Sequence, residues 1–393
     1  MPASPIIERI ELSLFEVDIP DMSADPSGFG IHYTPGKSPP QLRLAIKVFG
    51  DTGVVGEYVP GRGRAKIIHA AAAALGQKLI GQPALERELH YYNLRRLTKH
   101  VGEVGIGILD IALWDLAGKH HNAPVYQLLG GYRTRLPAYA STLHGDRLPG
   151  GLSSAEAYAD FAEQCLELGY LGFKMHGWSK GDVAEEVAMI RAVAARVGGK
   201  MHIMYDSSSN LRTLADAILI GKVCDECGLY WYEDPYSDGG LSVRGHQMLK
   251  QSVKTPIMIT EFVHNLETMT DMLVAGATDF ARADPDYDGG LTGCLKRAAA
   301  AEGLGMDVEV HSCGPAMRHL MAATRNANFY EVNLVHPKAP NAWHLPIYAD
   351  DYSDQLDCVD KDGCVSVPDG PGFGMAYDWE AIDRRLVERT VLT

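Results

Sequence analysis

Three carboxylates each close a short apolar run: Asp206 in Tyr205-Asp206, Glu233 in Trp231-Tyr232-Glu233-Asp234-Pro235, and Glu261 in Met258-Ile259-Thr260-Glu261. They stand 27 and 28 residues apart. A strand, a helix and their connections occupy about that many residues in a barrel of roughly 250 residues built from eight βα units. Acids at equivalent strand ends would then meet at the C-terminal mouth of the barrel. Three such charges repel one another unless a hard divalent cation lies between them, and an all-oxygen set favours Mg²⁺ over Zn²⁺.

Other strand ends carry polar residues of matching chemistry. Lys174 and His176 are two apart, so side chains alternating with period two place both on one face, pointing into the mouth. Asp284 and His311 close successive strands, 27 residues apart, where a carboxylate can hold one imidazole nitrogen and raise the basicity of the other. Glu331 lies on the last strand. A cation, a positioned histidine and a Lys/His pair in one cavity suit removal of a proton from carbon next to a carboxylate, because that step creates charge which only a metal and cationic donors make tolerable. Glu309 and Arg282 fall one pleat deeper and read as polar layers of the barrel interior. Gly289-Gly290 reads as a turn before a helix rather than a phosphate site.

The elements that must position these groups follow from pattern. Residues 5–60 read as a short antiparallel meander with strands at Ile6 to Val17 and Leu42 to Phe49. Asp21 to Pro40 between them is a long Pro-, Gly- and Ser-rich connection, of the kind that is disordered or forms a lid. Helices follow at Ala65 to Ile80, Leu85 to Thr98 and Gly102 to His120, so residues 1–131 read as an α+β capping (lid) domain. Short apolar runs then alternate with amphipathic segments, the βα signature. Strands are expected at Leu136 to Ser141, Gly172 to His176, His202 to Asp206, Leu229 to Glu233, Ile257 to Glu261, Asp279 to Asp284, Met306 to His311 and Phe329 to Leu334. The fold class is α/β: residues 132–355 read as a TIM-like (β/α) barrel bearing the site. Residues 356–393 read as a tail, ending in a helix at Trp379 to Val387, that packs back on the capping domain.

Composition limits the partners. At 393 residues the chain suits a barrel plus a smaller domain. A formal net charge of −14 leaves no basic surplus to neutralise phosphates, which argues against nucleic acid. No apolar run approaches the roughly 18 residues of a membrane span, and Met1 to Pro20 lacks a signal peptide's pattern, so a cytoplasmic protein is expected. The seven cysteines fit reduced thiols. Cys224 and Cys227 form a lone C-x-x-C that reads as a structural thiol pair, since no second pair follows at zinc spacing.

The chain resembles the mandelate racemase subgroup of the enolase superfamily over nearly its whole length. Ala112-Leu113-Trp114-Asp115-Leu116-Ala117-Gly118-Lys119, Pro124-Val125 and Leu128-Leu129-Gly130-Gly131 look like the family's approach to the barrel. Asp206, Glu233 in Glu-Asp-Pro and Glu261 match its metal positions. Asp284 before Gly289-Gly290, with His311, matches its dyad, and Glu331 matches the acid that hydrogen-bonds the substrate carboxylate. The resemblance implies a modified (β/α)7β barrel under a lid, Mg²⁺, an enolate intermediate and a symmetric homo-oligomer. Two positions depart from the namesake. Its Lys-x-Lys is here Lys174-Met175-His176, which leaves His176 either as a second base or as a group that hydrogen-bonds the substrate or its leaving hydroxyl. Ser208 stands where it has Asn, a shorter polar reach.

Within that subgroup the enolate can be reprotonated, lose a β-hydroxyl, or be attacked internally. His32 and Tyr33 in Gly30-Ile31-His32-Tyr33-Thr34, with Tyr58, Asn341, Trp343 and His344, offer hydrogen bonds that suit a polyol better than an aromatic acid. The expectation is therefore dehydration of a small sugar acid to a 2-keto-3-deoxy acid, with L-lyxonate, fuconate, galactarate or a related acid as substrate. A racemase, epimerase or cycloisomerase acting through the same enolate is the rival, and a non-catalytic sugar-acid sensor is the rival from another class.

Overall fold

The computed structural model describes residues 4–24, 30–61, 63–178 and 182–393. The first elements are strands β1 (Ile7–Asp18), β2 (Met22–Ala24), β3 (Ile31–Tyr33), β4 (Pro40–Gly50) and β5 (Val55–Tyr58), then helices α1 (Ala65–Gly76), α2 (Arg87–Leu97), α3 (Ile106–His120) and α4 (Val125–Leu128). The long connection between β1 and β4 is not featureless: β2 and β3 pair as an antiparallel hairpin, Met22 opposite Tyr33. Residues 25–29 of that expected lid lie outside the described residues.

The βα series follows as β6 (Arg135–Thr142), α5 (Ala155–Glu167), β7 (Gly172–His176), α6 (Val183–Val197), β8 (His202–Asp206), α7 (Leu214–Cys227), β9 (Trp231–Glu233), α8 (Val243–Ser252), β10 (Ile257–Ile259), α9 (Leu266–Val274), β11 (Phe280–Ala283), α10 (Gly290–Gly303), β12 (Asp307–Val310), α11 (Pro315–Ala323) and β13 (Tyr330–Val335). Helix starts follow the caps in the sequence: Ser154, Asp182, Thr213, Ser242 and Asn265 each accept a backbone N–H of the first turn, Thr213 with Asp216 as a reciprocal capping box. Cys224 and Cys227 sit on α7 as free thiols.

These strands run in the order β12-β11-β10-β9-β8-β7-β6-β13, all parallel. The sheet curls on itself, because side chains of distant strands meet inside it: Arg282 of β11 reaches the Tyr139 hydroxyl of β6 at 3.1 Å and Glu331 of β13 at 3.1 Å. This is the TIM-like architecture, with seven βα units and β13 filling the eighth place. At the β12/β13 seam Glu309 substitutes for ladder bonds, accepting from Asn328 Nδ2 at 2.7 Å and Phe329 N at 3.2 Å. Tyr139, Met204, Trp231, Met258 and Phe329 form a separate apolar cluster that fills the lower interior.

The tail differs from expectation. After β14 (Cys364–Ser366), which pairs antiparallel with β6, helix α12 (Trp379–Arg384) stops early and β15 (Leu386–Leu392) runs along β1. Leu386-Val387-Glu388-Arg389-Thr390-Val391-Leu392 carries three β-branched residues, and the open edge of β1 supplies the hydrogen bonds that a helix would have made internally. The first sheet is therefore β15-β1-β4-β5.

Helix α3 presses this first layer onto the barrel. A Cβ on Gly107 would lie 2.3 Å from the Pro285 carbonyl oxygen, and one on Gly290 would lie 2.2 Å from Asp110 Oδ2, so both contacts need glycine. Asp110 accepts from Thr292 N and its hydroxyl at 3.0 and 2.6 Å, and the Tyr58 hydroxyl donates to Asp286 at 2.6 Å. The loop carrying Asp284 is thus held from above. Among the described residues no helix is long and apolar enough to cross a membrane.

Candidate active site

Strand register builds the site. His176, Asp206 and Glu233 occupy one row across β7, β8 and β9, with Lys174 a layer below His176 on the same face. Glu261 lies two residues beyond β10, and Asp284 and His311 one residue beyond β11 and β12, so these three are carried by loops rather than by strands as the apolar runs imply. At Glu261 the turn is visible in the backbone: Thr260 takes φ 91° and turns the chain before Glu261 can join the ladder. Ser208, Ser209, Asp234, Ser312 and Leu334 also adopt positive φ at barrel strand ends. Backbone strain of this kind persists where surrounding structure over-determines it, and here it clusters round the mouth.

Asp206, Glu233 and Glu261 each offer a carboxylate oxygen within 4.8 Å of the other two. Beside them Asp234 is 1% exposed and neither of its oxygens has a hydrogen-bond partner. Burial, then the charges of Glu261, Asp206 and Glu233, push its carboxyl well above the usual range. An all-oxygen donor set under such crowding fits a hard divalent cation.

Cationic groups ring the acids. Lys174 Nζ, 1% exposed, lies 2.9 Å from Glu233, 2.9 Å from Glu331 and 3.3 Å from Asp206. Burial disfavours its charge, but Glu233 and Glu331 outweigh burial and raise the amine well above its ordinary value. Arg282 Nε bonds Glu233 at 2.6 Å from the other side. Glu331 contacts both cations and accepts from Ser312 N at 2.9 Å. Burial opposes its charge, yet Lys174, Arg282 and His311 hold its carboxyl well below the usual range.

Two histidines face the cavity on different walls, β13 and β6 between them on one side and the carboxylate strands on the other. His311 Nδ1 is 2.8 Å from Asp284 Oδ2, and Nε2 is 3.5 Å from Glu261. His176 Nδ1 is 2.6 Å from the Thr142 carbonyl and Nε2 is 3.0 Å from Asp206. Both His176 nitrogens therefore face acceptors, the arrangement of an imidazolium. Burial works against that charge, while Asp206 raises the pKa above the ordinary histidine value.

A cavity of about 590 Å³ opens above these groups. It brings together His176, Asp206, Glu261, His311, Glu331 and Trp343. His32 and Tyr33 are not among the residues that line it, although their neighbours Gly30 and Ile31 are; Tyr33 packs on His336 at 4.2 Å. Tyr58, Asn341 and His344 are occupied elsewhere, by Asp286, the Asp354 carbonyl and Tyr348 respectively. The lining adds residues that sequence reasoning passed over: Arg43, His144, Tyr287, Asn333 and His264, whose Nδ1 is 3.0 Å from Asp288. Arg43 shares strand β4 with Lys47, so its charge did not single it out in the sequence.

Residues 157–381 match the family described as enolase C-terminal domain-like, and residues 39–130 match the mandelate racemase / muconate lactonizing enzyme N-terminal domain. The chain is 27% identical to a D-galactarolactone cycloisomerase of Agrobacterium fabrum, covering 87% of this chain and 90% of that one. It is 26% identical to an L-rhamnonate dehydratase of Saccharopolyspora erythraea, over 85% and 80%. The crystal structure of a D-glucarate dehydratase from Agrobacterium tumefaciens complexed with magnesium superposes with a TM-score of 0.87 at 29% identity, covering 98% and 99% of the two chains. With one family model spanning more than half its length and the other covering the layer above the barrel, the chain belongs to the mandelate racemase / muconate lactonizing enzyme family of the enolase superfamily.

Proposed function

We propose that the protein is a Mg²⁺-dependent acid sugar dehydratase that converts a sugar acid to its 2-keto-3-deoxy acid. The observation that carries this reading is the pairing of an oxygen-donor triad with the His311–Asp284 dyad on one wall and Lys174 with His176 on another. Asp206, Glu233 and Glu261 would hold the cation, which when bound would draw electron density from the substrate carboxylate and so acidify the neighbouring C–H bond. Lys174, fixed by Glu331, donates to that carboxylate. His311, its Nδ1 proton held by Asp284, takes the α-proton at Nε2. His176 gives a proton to the departing β-hydroxyl, which leaves as water; the enol that remains becomes the 2-keto-3-deoxy acid. The enzymes similar in sequence and structure that act by loss of water, on L-rhamnonate and D-glucarate, support the same reading.

A second reading, cycloisomerisation, is favoured by the D-galactarolactone relative. One experiment separates the two. Purified protein with Mg²⁺ is incubated with a library of aldonates, aldarates and their lactones, and 2-keto-3-deoxy acids are trapped with semicarbazide. A product that disappears with EDTA and in His311→Asn supports dehydration. Lactone consumption with no sugar acid dehydrated would overturn it in favour of cycloisomerisation.

A further inference from the structure

Four arginines are buried among the described residues, and three have carboxylates: Arg282 with Glu233 at 2.6 Å, Arg297 with Asp288 at 3.3 Å, and Arg318 with Asp354 at 2.6 Å. The fourth, Arg43, is 3% exposed and has no acid within ion-pair distance among the described residues. Among the described residues its guanidinium bonds only neutral oxygens, the Leu42 carbonyl at 3.1 Å and Gln41 Oε1 at 2.8 Å, and its Nε has no partner. Two of the five guanidinium N–H groups are thus used. A cation withdrawn from water is costly unless an anion meets it.

What faces Arg43 is the cavity. Arg43 and Gln41 of β4 line it together with Arg64 at the start of α1, so its upper wall is basic where its floor, at Asp206, Asp234 and Glu261, is acidic. Burial lowers the Arg43 pKa to about 10, which leaves it charged at neutral pH. A planar fork of N–H groups matches a carboxylate through paired hydrogen bonds, whereas a neutral hydroxymethyl group would leave its charge unanswered.

We propose that Arg43 receives a second carboxylate, at the far end of the substrate, so that the substrate is an aldarate, acidic at both ends, rather than an aldonate. This rests on the reading of the floor as a site for a sugar-acid carboxylate. Arg43 is a binding residue here and takes no part in proton transfer. A substrate held at both ends, by Lys174 below and Arg43 above, is fixed along its length, which selects the carbon presented to His311.

Binding tests this separately from turnover. The protein with Mg²⁺ is titrated calorimetrically with aldarate and aldonate of the same configuration, galactarate against galactonate and glucarate against gluconate, and with a 6-phosphoaldonate as an alternative far-end anion. The expected result is that one aldarate binds about tenfold or more tightly than its aldonate and than the phosphorylated acid. Arg43→Gln removes that preference by weakening the aldarate alone, and Arg43→Lys restores part of it. Equal binding of the aldonate, tighter binding of the phosphorylated acid, a preference that survives Arg43→Gln, or no binding by any of them would overturn the proposal. The matched pairs need only the unaltered protein, so a misfolded variant does not decide the matter. An aldarate bound in an Arg43-dependent way without release of a 2-keto-3-deoxy acid would keep this inference and remove the dehydratase reading.

Discussion

His311 Nδ1 stands 2.8 Å from Asp284 Oδ2, an imidazole and a carboxylate carried just past the ends of the neighbouring strands β12 and β11. The bond fixes which nitrogen of His311 faces the cavity. His311→Gln is expected to lower kcat by roughly a hundredfold to ten-thousandfold, the usual span for a lost general base, while leaving the melting temperature nearly unchanged. Solvent deuterium incorporation at Cα, followed by NMR, should vanish in parallel; exchange that continues at the normal rate would show that another group is the base.

His176 should behave differently. If it serves the leaving hydroxyl rather than the α-proton, His176→Gln slows formation of the 2-keto-3-deoxy acid and leaves exchange of Cα–H in D₂O measurable. Loss of both together would assign His176 to proton abstraction.

Metal loading should be visible without turnover. A cation bound at about 100 times its Kd stabilises the folded state by about 2.7 kcal/mol. Differential scanning fluorimetry is therefore expected to show a rise in Tm with Mg²⁺, reversed by EDTA and absent in Glu261→Gln. A Tm indifferent to Mg²⁺ would argue against ligation by Asp206, Glu233 and Glu261.

Arg282 is held between Glu233 and Glu331, all three without solvent exposure. Removing one partner of such a network strands the others, at about 3–5 kcal/mol. Arg282→Met should therefore lower stability to chemical denaturation by an amount of that order and weaken Mg²⁺ binding through displacement of Glu233. A variant as stable as the parent would show that the acids find other partners.

At the barrel seam, burial lifts Glu309 to about pH 7 against the ordinary 4.5, although Asn328 works in the opposite direction. Below the ordinary value both folded and unfolded chains hold the proton, and the contribution to stability is full. As pH rises between 4.5 and 7 the unfolded chain releases its proton first, and stability is lost until the folded group also ionises. Glu309→Gln, which cannot ionise, should gain stability relative to the parent between pH 5 and pH 8, by a few kcal/mol in order of magnitude. Parallel stability curves for parent and variant across that range would contradict this.

Much of this was readable in advance, and the limits have physical causes. Barrel strands β7 and β8 and helix α7 sit where their apolar patterns place them, because β7 and β8 are buried on both faces and read as short apolar runs, while α7 buries one face. Strand ends at Glu261, Asp284 and His311 were less legible, since the positive φ that ends β10 at Thr260 is imposed by neighbours rather than by residue type. The same holds for β15: only the presence of β1 beside Leu386–Leu392 makes it a strand.

By itself the sequence determined the βα repeat, the three acids at matched spacing and the Asp284–His311 pair, because periodicity and strand-end position are local properties of a chain. The tertiary structure alone decided which polar groups share one cavity. It left His32 and Tyr33 out of the cavity lining, engaged Tyr58 with Asp286, and left Arg43 buried against the cavity with no acid of its own among the described residues. Charge balance inside a folded protein depends on residues hundreds of positions apart meeting in low dielectric, and no local pattern encodes that meeting.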